Sequence, residues 1–130
     1  MSSAPFFAKD LVGSSSPARA LINHRHGQIV AARLLTAFDS ASRKTGLLKH
    51  TSMPEDTGLI IAPCNAIHMF FMRFPIDAAF VAKDGRVLKT VHALKPWRIA
   101  AAWGAFAVIE LAAGALARTD TRPGDVVALR

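Results

Sequence analysis

The sequence predicts a mainly β protein, a single-domain antiparallel sandwich or barrel-like fold with one short helix. Three observations lead there. Short apolar runs are separated by turn residues about every 8–12 positions, the spacing of sandwiches and barrels. An Asp84-Gly85 pair stands between two such runs, a strong local hairpin signal. No internal repeat or heptad supports a helical alternative.

Residues 1–18 are rich in Ser, with Pro5, Gly13 and Pro17, and read as a flexible arm whose Phe6 and Phe7 are tacked onto the body. The β-rich domain is expected over 19–130. Ala20-Leu21-Ile22 leads to a turn at His26-Gly27, and Gln28 to Phe38 is read as a strand. Asp39 or Ser40 can cap a short helix reaching about Lys49. Leu59-Ile60-Ile61 reads as a buried strand stopped by Pro63, and His68 to Phe74 as another, stopped by Pro75. Ile76 to Lys83 and Arg86 to Leu94 form the hairpin. Ala105 to Leu111 is a strand, Ala112-Ala113-Gly114 a turn, and Val126 to Leu129 closes the sheet.

The 130 residues are 52% hydrophobic and 19% charged, a globular composition for one core and no second domain. Cys64 stands alone, so no intrachain disulfide forms; that fits a reducing compartment. The N-terminus lacks the pattern of a secretory signal, and the longest near-apolar run, Ile99 to Ile109, is short of the roughly 20 residues a spanning helix needs. A cytoplasmic location is therefore expected. The net charge is +7. Over 19–50, Arg19, Arg25, Arg33, Arg43, Lys44 and Lys49 face only Asp39, a local net of +5. This stretch is read first as a solvated basic surface and second as a nucleic-acid contact. The chain has no Tyr, and its Phe residues are read as lying in apolar strands, without the basic interleaving of a base-stacking platform.

Most of the nine acids sit at caps or turns, but Asp77 and Glu110 interrupt apolar strands. A carboxylate there must be paired, hydrogen-bonded or at a surface. With Asp84-Gly85 as a two-residue loop, Lys83 pairs with Arg86, and Asp77 falls opposite His92 on one face with Ala79, Val81, Leu88 and Thr90. Arg73 within HMFFMRF is a partner for Asp77 or Glu110, or an anion ligand. Trp97 and Trp103 flank small residues and either pack on the sheet or form an exposed aromatic patch for a partner or sugar ring. Cys64 and His68 are four apart, and His24 and His26 flank Arg25; neither set supplies the ligands of a zinc site, so no metal and no cofactor is expected.

The stretches GLLKHTSMPEDTGLIIAPCNAIHMFFMRFPIDAAFVAKDGRV, KPW, AVIELAAG and PGDVVAL resemble the prokaryotic family known as domain of unknown function 192, over about residues 41–129. The ordered motifs are Gly46-Leu47-Leu48, Gly58, Phe71-Met72-Arg73, Ile76-Asp77, Asp84-Gly85, Glu110-Leu111, Gly114 and Gly124-Asp125. Many members carry Trp-Met-Lys-Asn-Thr where this chain has Phe71-Met72-Arg73-Phe74-Pro75, so a site built on that Asn-Thr is lost here. The resemblance implies a β-sandwich or barrel-like fold and no established activity.

The leading expectation is a non-enzymatic domain that binds an unknown ligand or protein partner through Arg73, Asp77, His92, Trp97 and Glu110. The alternatives are a small hydrolase or lyase using Asp77 with His92 or Glu110, and nucleic-acid binding through residues 19–50.

Overall fold

The computed structural model describes residues 5–11, 19–37 and 52–130. The helix expected from Asp39 to about Lys49 lies outside the described residues, as do Arg43, Lys44 and Lys49 of the basic stretch. The expected mainly β, barrel-like fold forms from nine strands among the described residues. β1 (Arg19–Asn23), β2 (Ile29–Ala37), β3 (Thr57–Ile61), β5 (Ile76–Val81), β6 (Val87–Leu94), β8 (Ala107–Ala112) and β9 (Val127–Leu129) make one sheet in the order β6-β5-β8-β3-β2-β1-β9. β4 (Ala66–His68) and β7 (Ile99–Ala101) make a separate two-stranded ribbon. One helical turn, α1 (Ala115–Arg118), follows β8 where the sequence suggested only a turn.

Pairing is antiparallel except between β2 and β3, which run parallel with Leu35 beside Leu59. A parallel pair needs a long connection, and β2 and β3 are separated in sequence by residues 38–56. The sheet curls until its edges meet. Arg86, just before β6, bridges Val126, just before β9, and Val127 N–H donates to the Gly85 carbonyl at 2.9 Å. The approach is so close that a Cβ on Gly85, which has φ +92°, would run into the Val127 carbonyl oxygen.

Curling gives the central strands two buried faces. Ala79 and Val81 of β5 and Ile109 and Leu111 of β8 point inward to a cluster with Leu21, Leu34, Ile60, Leu116 and Val127. Ala78 and Phe80 of β5 and Val108 of β8 point outward, against Ile67 of β4, Ala100 of β7, and Met69 and Met72. Both strands are therefore buried at every position, which is why IDAAFV and AVIELA are continuously apolar apart from one acid each. Residues 5–11 of the expected arm pack here too. Ala8 and Leu11 join the inner cluster, and Phe7 N–H donates to the Lys83 carbonyl at 2.7 Å.

Two local expectations are corrected. The strand expected from His68 to Phe74 stops at His68. Met69 and Met72 are both buried, and that spacing of three suits a turn rather than strand alternation. The chain turns with Phe71 at φ +68°, and Met72 N–H donates to the Met69 carbonyl at 3.2 Å. The β5–β6 hairpin has a three-residue loop, since Ala82 N–H donates to the Arg86 carbonyl at 2.9 Å and Gly85 N–H to the Ala82 carbonyl at 3.0 Å. An irregularity between Phe80 and Val81 then restores the expected pairs Ala79 with Thr90 and Ala78 with Val91. A second, between Ile76 and Ala78, sets Ile76 opposite Leu94.

At that second irregularity lies Asp77, fully buried. Its carboxylate accepts from the Ala93 N–H at 2.8 Å, the Gly114 N–H at 3.1 Å and the Leu116 N–H at 2.9 Å. One side chain thus fixes the bulge of β6, the turn after β8 and the start of α1. Asp77→Ala leaves three donors without an acceptor, and the expected loss is about 3–5 kcal/mol in urea unfolding at pH 7.

Candidate functional site

The residues singled out from the sequence do not converge on one cleft. Asp77 and Glu110 lie on neighbouring strands, Asp77 opposite Leu111 and Ala78 opposite Glu110. That one-residue offset sends them to opposite faces of the sheet. Asp77 points inward with every partner a backbone amide, and it makes no hydrogen bond to His92, which is exposed on β6. Arg73 is exposed and forms no ion pair with either acid among the described residues.

Glu110 occupies the outward face, between Leu59 of β3 and Ala78 of β5, in line with the Val108 cluster. It is 7% exposed, and no described residue donates a hydrogen bond to it, its oxygens keeping only a narrow contact with solvent. Desolvation pushes its carboxyl up to about 7.

A second polar cluster, missed in the sequence, joins the two ends of the chain. Asp125 accepts from Arg25 Nε at 2.7 Å, Asn23 Nδ2 at 2.8 Å and Arg122 N–H at 3.0 Å. The Arg25 guanidinium, helped by Asn23 and the Arg122 amide, holds the Asp125 carboxyl well below the usual carboxylate range. Arg25 also reaches Asp120 at 3.2 Å, and Arg19 lies 4.0 Å from Asp10. Two of the cations expected to form a basic surface over 19–50 are therefore engaged by acids.

The exposed chemistry gathers on the β4–β7 ribbon. Ile67 and Ala100 face the core, so His68 and Ile99, paired across the ribbon, face out. His68 stacks on Phe70 with centroids 4.7 Å apart and an interplanar angle of 28°; Phe70 stacks on Trp97 at 5.8 Å and 29°. Phe71 meets Trp97 edge-on at 4.9 Å. Phe71 is 70% exposed, Trp97 58% and Ile99 66%; Trp103, just past the other end of β7, is 100% exposed. Phe71 and Trp97 both hold left-handed conformations, with φ +68° and +70°. Such strain in bulky residues is uncommon and recurs where side chains are held for contact. Main-chain bonds over-determine it, because Trp97 N–H donates to the Met69 carbonyl at 2.8 Å and Met69 N–H to the Arg98 carbonyl at 2.7 Å.

Where the chain enters β4 and leaves β7, an open groove of about 230 Å³ is lined by Pro63, Cys64, Asn65, Ala105 and Phe106. The Cys64 thiol donates to the Ala66 carbonyl at 3.1 Å. Among the described residues, no group of three or more His, Cys, Asp or Glu side chains is placed to hold a metal ion.

The fold and these sites define a small curled-sheet protein with an isolated buried carboxyl and an exposed aromatic ribbon. The chain belongs to the domain of unknown function 192 (DUF192), the family described as "Uncharacterized ACR", whose pattern matches residues 21–129. No curated protein matches the sequence. Two solved structures share the fold. One is a proposed transcription regulator from Sinorhizobium meliloti 1021, 24% identical, with a TM-score of 0.75 over 90% of this chain and 98% of that one. The other is a protein of unknown function from Novosphingobium aromaticivorans DSM 12444, 26% identical, with a TM-score of 0.74 over 88% of this chain and 93% of that one. No helix among the described residues is long and apolar enough to cross a membrane.

The two perturbed acids leave opposite signatures in stability. Glu110 is raised from 4.5 to about 7, so its folded state binds the proton more tightly. The resulting stabilisation, about 3 kcal/mol, is fully present below pH ~4.5 and is lost as pH rises through ~7. Urea midpoints should fall between pH 4.5 and 8.5 in the native protein, and Glu110→Gln should remove most of that fall. Asp125 is lowered, so its contribution is present above pH ~4 and is lost on acidification. Asp125→Asn should lower stability at pH 7 and leave a shallower loss between pH 5 and 2.5, read by the same midpoints.

Proposed function

We propose that this protein is a binding domain and that its recognition surface is the outer face of the β4–β7 ribbon with the adjoining turn at Phe70–Phe71. The carrying observation is the ring cluster of exposed His68, Phe71 and Trp97 packed on half-buried Phe70, with two of its members held in strained left-handed backbone. Large exposed aromatics mark contact surfaces more than they support folding. Of the five residues first considered for binding, Trp97 belongs to this surface and Arg73 flanks it two residues from Phe71. Asp77 acts within the fold, His92 stands on β6, and Glu110 is buried.

An acid–base enzyme finds less support. Both Asp77 oxygens are occupied by backbone amides, and no described group is hydrogen-bonded to Glu110 to act beside it. The description of the Sinorhizobium meliloti neighbour as a proposed transcription regulator also fits a binding role better than a catalytic one.

If the ring cluster serves contact, the double variant Phe71→Ala/Trp97→Ala keeps its melting temperature within about 2 °C of the native protein, as expected for surface truncations. Amide shifts on titration with a 12-nucleotide oligothymidylate, anionic phospholipid vesicles or an acidic peptide should then centre on 66–73 and 95–103 for at least one probe. A melting temperature lowered by more than about 5 °C, or shifts centred elsewhere for every probe that binds, would overturn the reading.

A further inference from the structure

We propose that the partner of the aromatic ribbon is single-stranded nucleic acid. This rests on the binding reading above and names the chemistry of its partner. Recognition of an unpaired strand needs ring faces for the bases and cations for the phosphates. The ribbon supplies both. His68, Phe70 and Trp97 form a run of near-parallel rings, with interplanar angles of 28° and 29°, ending in the exposed indole of Trp97. Trp103 offers a second indole at the far end of β7, six residues along the chain and so at most about 22 Å away between Cα atoms.

The cations are distributed around these rings. Lys95 and Arg98 flank Trp97, Arg73 follows Phe71, and Lys89 reaches the ribbon itself, its ammonium donating to the Ala101 carbonyl at 2.8 Å. All four are exposed, and none forms an ion pair among the described residues. Over residues 66–104 there are six Lys and Arg against two acids, Asp77 and Asp84. Asp77 is buried among amides, and Asp84 lies in the β5–β6 loop, where it accepts from the Arg86 N–H. The ribbon segments 66–73 and 95–103 are thus aromatic and cationic and carry no acid of their own. A neutral sugar ring, whose hydroxyls call for polar acceptors, is a poorer match than a base with its phosphate. A duplex, whose base faces are covered, cannot use the rings.

This site differs from the basic stretch 19–50. Arg19 and Arg25 there are engaged by Asp10, Asp120 and Asp125, whereas the ribbon cations are not. Phe70 and Phe71 also leave the apolar strand pattern expected of the Phe residues and meet Trp97 beside Arg98.

The test uses the full chain and fluorescein-labelled 12-mers, followed by anisotropy and tryptophan quenching at about 50 mM salt. Oligothymidylate should bind and quench. An abasic 12-mer of the same charge, a 12-base-pair duplex, and the Phe71→Ala/Trp97→Ala protein with oligothymidylate should each bind about 10-fold or more weakly. Arg73→Ala/Arg98→Ala should reduce the salt slope by about 1.4, two phosphate contacts' worth for a single strand. No binding of oligothymidylate, equal binding of the abasic strand, or undiminished binding by the ring variant would overturn the inference. Vesicles of phosphatidylcholine and phosphatidylserine separate the two levels. If they bind through Phe71 and Trp97 while oligothymidylate does not, the nucleic-acid partner is wrong and the binding surface stands. If the ring variant loses nothing with any probe, both fall.

Discussion

The rest of the structure hangs on a carboxylate placed inside a curled sheet. Asp77 is surrounded by an apolar interior, and three backbone amides from two distant segments converge on it. Burying that charge is tolerable because each amide also needs an acceptor; the two costs cancel only when the segments meet. The carboxylate therefore specifies how β6 bulges at Ala93 and where the chain turns from β8 into α1. Once the end of β8 is tied to β5, Leu116 is carried into the interior and helps to fill it.

The same curling gives the sheet an outer face that cannot remain bare. Ala78, Phe80, Val108 and Leu59 lie on it, and the β4–β7 ribbon with Met69 and Met72 covers them. Covering has a geometric consequence. A three-residue ribbon that turns Ile67 and Ala100 inward must turn His68 and Ile99 outward. The turn that buries Met69 and Met72 presents Phe71 to solvent. The exposed aromatic surface is thus the reverse side of a lid whose other side completes the core, and its rigidity is inherited from that packing. Glu110 lies on the same outer face of the sheet, where desolvation has little to oppose it.

Much of the strand content was legible in the chain. Runs such as IDAAFV and AVIELA, each bounded by turn residues, locate β5 and β8, and the Asp-Gly pair locates the β5–β6 turn. The two acids were conspicuous for the right reason, since a charge in such a run requires an explanation. Their explanations were less legible. Asp77 is answered by backbone amides, which almost every residue possesses, so no side chain elsewhere advertises the partnership. His92 was the attractive side-chain partner by register, but an irregularity in the strand gives the contact to the Ala93 amide. The HMFFMRF segment failed differently. Its aromatic, apolar run before Pro75 suits a strand, yet two methionines three apart are buried together, and a left-handed Phe71 satisfies that.

By itself, then, the sequence determined a β-rich core, the approximate positions of its strands and turns, the family to which the chain belongs, and the two positions where charge conflicts with burial. These are local properties, carried by pattern, composition and motif. Tertiary structure alone decided that Asp77 and Glu110 face opposite sides, that Arg25 rather than Arg73 finds a carboxylate, and that Phe71, Trp97 and Trp103 stand in solvent. Each of those outcomes depends on a one-residue offset between neighbouring strands or on a turn that reverses a side chain. A shift of one residue exchanges inside for outside, and only the closed sheet, by requiring all its strands to pair at once, selects which shift occurs.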